Sequence, residues 1–166
     1  MVKSISVRGR KEIIAVYNEY AKIAGTQNTG RPQATKEFIE YVARLPMNGK
    51  TASELKWASK QYVDVSELNN ESVPVSIKVT IDIDEKAWND AMEIFKYVFD
   101  LKSNPQMPYF LRVAGIACIK NLEIQNAKLG IDRVASSENV TIDAFKKLST
   151  EDKLLTIYKL LLERSI

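Results

Sequence analysis

Residues 75–84 read VSIKVTIDID, and this strict alternation constrains the chain more than any other stretch. Val75, Ile77, Val79, Ile81 and Ile83 fall on one side of an extended backbone, and Ser76, Lys78, Thr80 and Asp82 on the other. Successive strand side chains point to opposite faces, so the pattern predicts a strand with one apolar and one polar face. A single strand leaves its hydrogen-bonding edges open. The chain must therefore supply a partner strand from elsewhere or take one from a second copy.

The residues after the strand have helical periodicity. In DEKAWNDAMEIFKYVFDL, Trp88, Ala91, Met92, Phe95, Val98 and Phe99 recur in steps of three and four, which marks one face of an amphipathic helix. Asp84 and Glu85 suit its N-terminus, where carboxylates oppose the helix dipole. KSNPQMP then reads as a turn in which Ser103 or Asn104 can cap, with prolines tolerated only in a first helical turn. A second helix is expected from about Met107 to about Asn126, with Tyr109, Phe110, Val113, Ala114, Ala117 and Cys118 on its more buried side.

This order of strand, helix, polar turn and helix resembles the ribbon-helix-helix family of DNA-binding proteins, to which the Arc and methionine repressors belong. The resemblance rests on the alternating strand with Ser76, Lys78 and Thr80 outward, the capped start of the first helix and the polar turn before the second. It implies that two such units intertwine and that their paired strands form an antiparallel ribbon in the DNA major groove. Lysine donates to guanine acceptors, and threonine offers a hydroxyl and a methyl, so Lys78 and Thr80 suit base reading. Asp82 departs from such a row, because a carboxylate repels phosphate; it is expected at the ribbon's end with a local capping role.

The N-terminus repeats the pattern. In KSISVRGRKEIIAVYNEYAKIAG, Ser4, Ser6 and Arg8 alternate with Ile5 and Val7, and Ile13, Ile14, Tyr17, Ala21 and Ala24 line one face of a helix from about Arg10. A shift of 74 residues superposes Val7 on Ile81, Ile14 on Trp88 and Ala21 on Phe95. TQNTGRPQ is a second polar turn, and ATKEFIEYVARL carries Phe38, Ile39, Val42 and Leu45 as a further stripe. Two arrangements follow. Strand 3–8 can pair with strand 75–82 inside one molecule, or residues 75–126 can form a homodimer while residues 1–70 make a separate helical head. In that head, residues 38–45 and 53–63 would form a helix-turn-helix. The expected organisation is mainly α with a short antiparallel ribbon. A first unit covers 1–48, a helical connector 49–74, a second unit 75–128 and a helical extension 129–166.

Between the units, Thr51 is placed to cap a short helix bearing Leu55, Trp57, Ala58 and Tyr62, and DVSELNNESVP reads as a polar linker. Beyond Gly130, IDRVASSENVTID is loop-like, and STEDKLLTIYKLLLERSI starts with a capping pattern and carries Leu154, Leu155, Ile157, Tyr158, Leu161 and Leu162. That helix either packs on its own domain or joins oligomers or another protein.

Composition bears on chemistry and partners. Histidine is absent, which removes the commonest general base and metal ligand. No Gly-rich phosphate loop and no cluster with metal-ligand spacing is present in the sequence. The pair Asp82 and Asp84 is better read as strand and cap than as an acid/base couple. The expectation is a non-enzyme without cofactor or metal. The net charge of +3 and pI near 8.9 permit an acidic partner. Cys118 is the single cysteine, and the sequence has no apolar run of membrane-spanning length or signal-peptide core. A soluble, cytoplasmic protein is expected.

The partners implied by the resemblance are double-stranded DNA and a homodimer or higher oligomer. The base-reading candidates are Ser76, Lys78, Thr80, Ser4, Ser6 and Arg8. Helix N-termini offer phosphate clamps, with candidates Lys102, Ser103 and Asn104 in the second unit and Thr29, Arg31 and Thr35 in the first. VRGRK adds Arg10 and Lys11 beside the ribbon. Within the family such proteins serve as transcriptional repressors, antitoxins or accessory proteins at a plasmid transfer origin. The rival is a helical protein-interaction adaptor that binds no DNA.

Overall fold

The chain's structure, a computed structural model, describes residues 1–25, 30–68, 74, 76–136 and 149–163. Its elements run β1 (Val2–Gly9), α1 (Lys11–Ala24), α2 (Arg31–Ala43), α3 (Gly49–Ser59), a 3-10 turn (Ser66–Leu68), β2 (Ile77–Asp84), α4 (Glu85–Phe99), α5 (Met107–Ser136) and α6 (Thr150–Glu163). The molecule is mainly helical with, among the described residues, one two-stranded antiparallel sheet, the fold class expected. Residues 1–120 and 121–166 form two compact units.

The partner that β2 requires is β1 of the same chain. Their register pairs Val2 with Asp84, Ser4 with Asp82, Ser6 with Thr80, Arg8 with Lys78 and Gly9 with Ile77. Ser6 and Thr80, at the middle of this ladder, are 74 positions apart, the same offset that aligns the two halves of the sequence. The ribbon is thus symmetric in pattern about the Ser6–Thr80 pair, as a homodimer would be about its two-fold axis. One edge of each strand is thus paired within a single chain, and the separate helical head is not formed.

Inward side chains of the ribbon are Ile5, Val7, Ile77, Val79, Ile81 and Ile83, all buried. They rest on helices with apolar stripes, the one on α1 turned from the predicted face, since Tyr20 is buried and Ala21 and Ala24 are only half-buried. α1 buries Ile13, Ile14, Ala15, Val16, Tyr17 and Tyr20; α4 buries Trp88, Ala91, Met92, Ile94, Phe95 and Val98. The Asp84 carboxylate caps α4 by accepting from the Ala87 N–H at 3.3 Å, as its position before the helix predicts. The halves interlock, because α2 packs against both β2 and α4. Burying one half's stripe therefore needs the other half, which joins residues 1–120 into one core.

The first half of α5 runs through that core. From Phe110 to Ile119 it is buried on every side and not along one stripe, because its apolar residues leave no polar face, whereas Tyr109, expected on the buried side, is exposed. A Cβ on Gly115 would stand 2.4 Å from Val16 Cγ1 and 3.0 Å from Phe38 Cε2, so glycine lets α5 approach α1 and α2 backbone-close. Aromatic contacts seal each half: Phe38 meets Tyr17 at 5.8 Å and Tyr20 at 5.1 Å, and Phe95 meets Phe110 at 5.0 Å and Tyr109 at 5.7 Å.

Several local expectations are corrected. Thr51 does not cap α3; the Asn48 side chain does, accepting from the Thr51 N–H at 3.0 Å, while Thr51 is buried one turn before Leu55. Leu45 lies beyond the end of α2. α5 does not stop near Asn126 but continues through Gly130 to Ser136. Gly130, inside the helix, serves packing: a Cβ there would lie 2.9 Å from Leu155 Cδ1 of α6. The rest of the expected 131–143 loop lies outside the described residues. The Ser149 cap of α6 is present, its Oγ accepting from the Asp152 N–H at 3.1 Å.

Candidate nucleic-acid interface

Strand alternation places seven polar side chains on the outward face of the ribbon: Ser4, Ser6 and Arg8 from β1, and Lys78, Thr80, Asp82 and Asp84 from β2, all exposed. The row differs from the expected one at both ends of β2. Ser76 precedes the strand, which begins at Ile77, and lines a cavity instead. Asp82 is no terminal cap. It stands inside the ladder directly opposite Ser4, and the capping role belongs to Asp84.

The face is electrically lopsided. Arg8 and Lys78 are direct cross-strand partners, which brings like charges within about 5 Å at Cβ, an arrangement that destabilises a bare sheet. Among the described residues neither has a carboxylate within salt-bridge distance. At the other end, Asp82 and Asp84 face outward, and the N-terminal amine lies 3.9 Å from Asp84. The centre is neutral, with the Thr80 and Ser6 hydroxyls 3.4 Å apart.

The helix-terminal candidates divide. Lys102, Ser103 and Asn104 lie exposed in the connection between α4 and α5. They do not cap α5, where the Gln106 carbonyl accepts from the Phe110 N–H at 3.0 Å. Arg10 is the exposed N-cap residue of α1 and Lys11 the first residue inside it; no side chain caps that helix. Arg31 opens α2 behind the uncapped N-cap residue Gly30. Thr35 is withdrawn as a phosphate ligand. It is 0% exposed, and its hydroxyl is used inside, donating to the Arg31 carbonyl at 2.8 Å and meeting Tyr17 Oη at 2.5 Å. Thr29 lies outside the described residues.

A second feature was missed by sequence reasoning. At the basic end of the ribbon a cavity of about 560 Å³ is lined by Arg8, Arg10, Tyr62, Ser76, Tyr109 and Arg112, among others. Arg112 donates to the carbonyls of Gln61 at 2.6 Å and Ser59 at 3.2 Å. Its Cζ lies 4.3 Å from the Tyr62 ring centroid and 5.5 Å from that of Tyr109. The one signal in the sequence was a single charge, Arg112, inside the apolar run 110–119.

Among the described residues no group of acidic or sulfur side chains is arranged to hold a metal ion, and no helix is long and apolar enough to cross a membrane. No family model, curated protein or solved structure matches the chain.

Proposed function

We propose that the outward face of the ribbon binds the major groove of double-stranded DNA and reads base edges there. The observation that carries this is the Arg8–Lys78 pair: two cations held side by side across the strands, exposed, and without a carboxylate partner among the described residues. Such a pair costs stability in isolation and gains it against an anion. A two-stranded ribbon also fits the width of the groove. Arg8 and Lys78 suit guanine O6 and N7, Thr80 and Ser6 adapt to any base, and Asp82 suits the amino group of cytosine.

The lopsided charge implies a directional site. A homodimeric ribbon presents the same row twice and reads a palindrome. Here the row runs from cations to a carboxylate, so one end of the site is read by guanine-seeking groups and the other by an acceptor. Lys102, Ser103, Asn104, Arg10, Lys11 and Arg31 are the flanking candidates for phosphate. Transcriptional regulation or marking of a plasmid transfer origin is the role that the ribbon-helix-helix resemblance suggests for such a protein.

A second reading has its own observation. Leu154, Ile157 and Tyr158 are exposed on α6, which suits an adaptor that binds protein through its C-terminal helices. A retardation assay with random duplex DNA over a salt series separates the two. A groove-binding ribbon loses affinity steeply as salt rises, through counterion release. The absence of any salt-dependent binding would leave the adaptor. Selection from random duplexes should then recover an asymmetric sequence, and a palindrome would contradict the directional row.

A further inference from the structure

The cavity at the basic end of the ribbon has the chemistry of a ligand site. Its volume of about 560 Å³ falls inside the ordinary range for small-molecule sites, roughly 300–1,000 Å³. Three guanidinium groups, of Arg8, Arg10 and Arg112, line it against one carboxylate, Glu12. The excess is positive.

Arg112 is the most informative of the three. It is 9% exposed, and buried charges ordinarily find an opposite charge. Among the described residues none lies within salt-bridge distance of it. The carbonyls of Ser59 and Gln61 hold the guanidinium in place, giving it a fixed orientation without neutralising it. A cation so held is pre-organised for an anion, and little side-chain entropy remains to be lost when one arrives.

The rings specify the rest of the ligand. Tyr62 lies on Arg112 yet is 72% exposed, so one face of the ring is occupied and much of the remainder is open. Tyr109 also lines the cavity, its ring centroid 5.5 Å from Arg112 Cζ. An exposed aromatic face beside fixed cations is a stacking platform for a planar group that carries negative charge.

We propose that this cavity binds a planar ring bearing a phosphate, the chemistry of a nucleotide, with the ring on Tyr62 and the phosphate toward Arg10 and Arg112. The occupant is either a free mononucleotide or one nucleotide of a nucleic-acid strand lying beside the ribbon. The assignment does not depend on the ribbon's reading of bases. Lys78 and Thr80 take no part in the cavity, so their variants should bind nucleotide normally.

The test is calorimetric titration of the full chain with AMP, adenosine, inorganic phosphate and a single-stranded pentadeoxyadenylate. AMP should bind saturably with one site per chain, and adenosine and phosphate alone each at least tenfold more weakly. Arg112→Met should abolish binding, but it also removes bonds to two carbonyls. Tyr62→Ala is therefore the decisive variant, since the ring is 72% exposed and its removal costs the fold no more than the cation–π contact with Arg112, a small fall in the denaturation midpoint. It should weaken AMP at least tenfold, as should Arg10→Ala. A pentanucleotide that binds at least tenfold more tightly than AMP, and with the same dependence on Tyr62, assigns the site to a strand; otherwise the ligand is the free nucleotide. The proposal is overturned if neither AMP nor the pentanucleotide saturates, if phosphate alone binds as well as AMP, or if Tyr62→Ala leaves binding intact.

Discussion

Lys78→Ala and Thr80→Val separate folding from DNA reading. Lys78 is exposed on the outward face and makes no ion pair among the described residues. Removing it also relieves the repulsion with Arg8, so its stability change should stay within about 0.5 kcal/mol. Thr80 shares one exposed hydroxyl contact with Ser6 at 3.4 Å, longer than an effective O–H···O bond. Valine keeps the β-branched shape that a strand favours, so that change is near-neutral too. In DNA binding each side chain carries a base contact of about 1–3 kcal/mol, roughly 5- to 150-fold in Kd. The two lie on the same face two residues apart, so their effects on binding need not add. Urea denaturation tests the first statement, and fluorescence anisotropy on a duplex selected from random sequence tests the second. If both variants fold normally and bind the selected duplex with unchanged affinity, the ribbon does not read DNA.

Lys102→Ala should weaken binding to all duplex sequences about equally and make the log–log salt slope shallower by roughly one unit; a loss of sequence preference alone would move Lys102 to base reading. Gly115→Val should destabilise the fold by at least about 1–3 kcal/mol through overpacking against Val16 and Phe38, and an unchanged urea midpoint would contradict the close approach of α5. Deleting residues 1–70 removes β1 and the α2 face on which β2 and α4 pack, so the fragment should lose its cooperative unfolding transition; a folded fragment that binds a palindrome with full affinity would refute the single-chain ribbon. The Cys118 thiol is pushed up from 9.0 to about 12, chiefly by burial, and burial likewise raises Tyr17, Tyr20 and Tyr41. Above about pH 9 the unfolded chain then loses protons that the folded chain keeps, so stability falls as pH rises, on the order of 2 kcal/mol by pH 11 from Cys118 alone. Cys118→Ala should flatten that slope, and a midpoint independent of pH from 8 to 11 would refute the assignment.

Much of the candidate interface could be read directly, because an exposed strand face follows from alternation alone. Ser4, Ser6, Arg8, Lys78 and Thr80 are all outward. Two errors were visible in the sequence itself. Thr35 stands at the head of the series 35, 38, 39 and 42, and Thr51 at the head of 51, 55 and 58. Both lie on buried stripes, away from the exposed helix ends where caps and phosphates are met, and the Thr35 hydroxyl is used internally. Ser76 was misplaced by where β2 starts and Asp82 by where it ends, and local alternation defines neither boundary.

By itself the sequence determined the elements and their faces, since helix and strand periodicity are properties of neighbours a few residues apart. It also held the 74-residue repeat that the centre of the ribbon reproduces. Tertiary structure alone decided that β1 and β2 belong to one chain, that Arg8 stands opposite Lys78 and that Asp82 faces Ser4. It alone brought Tyr62, Arg112 and Arg10 around one cavity. These juxtapositions depend on ladder register and on the interlocking of α2 with β2 and α4. A slip of one residue would turn every side chain of a strand to the opposite face, so the register is set by the burial of both apolar rows at once, a condition that no single stretch of sequence contains.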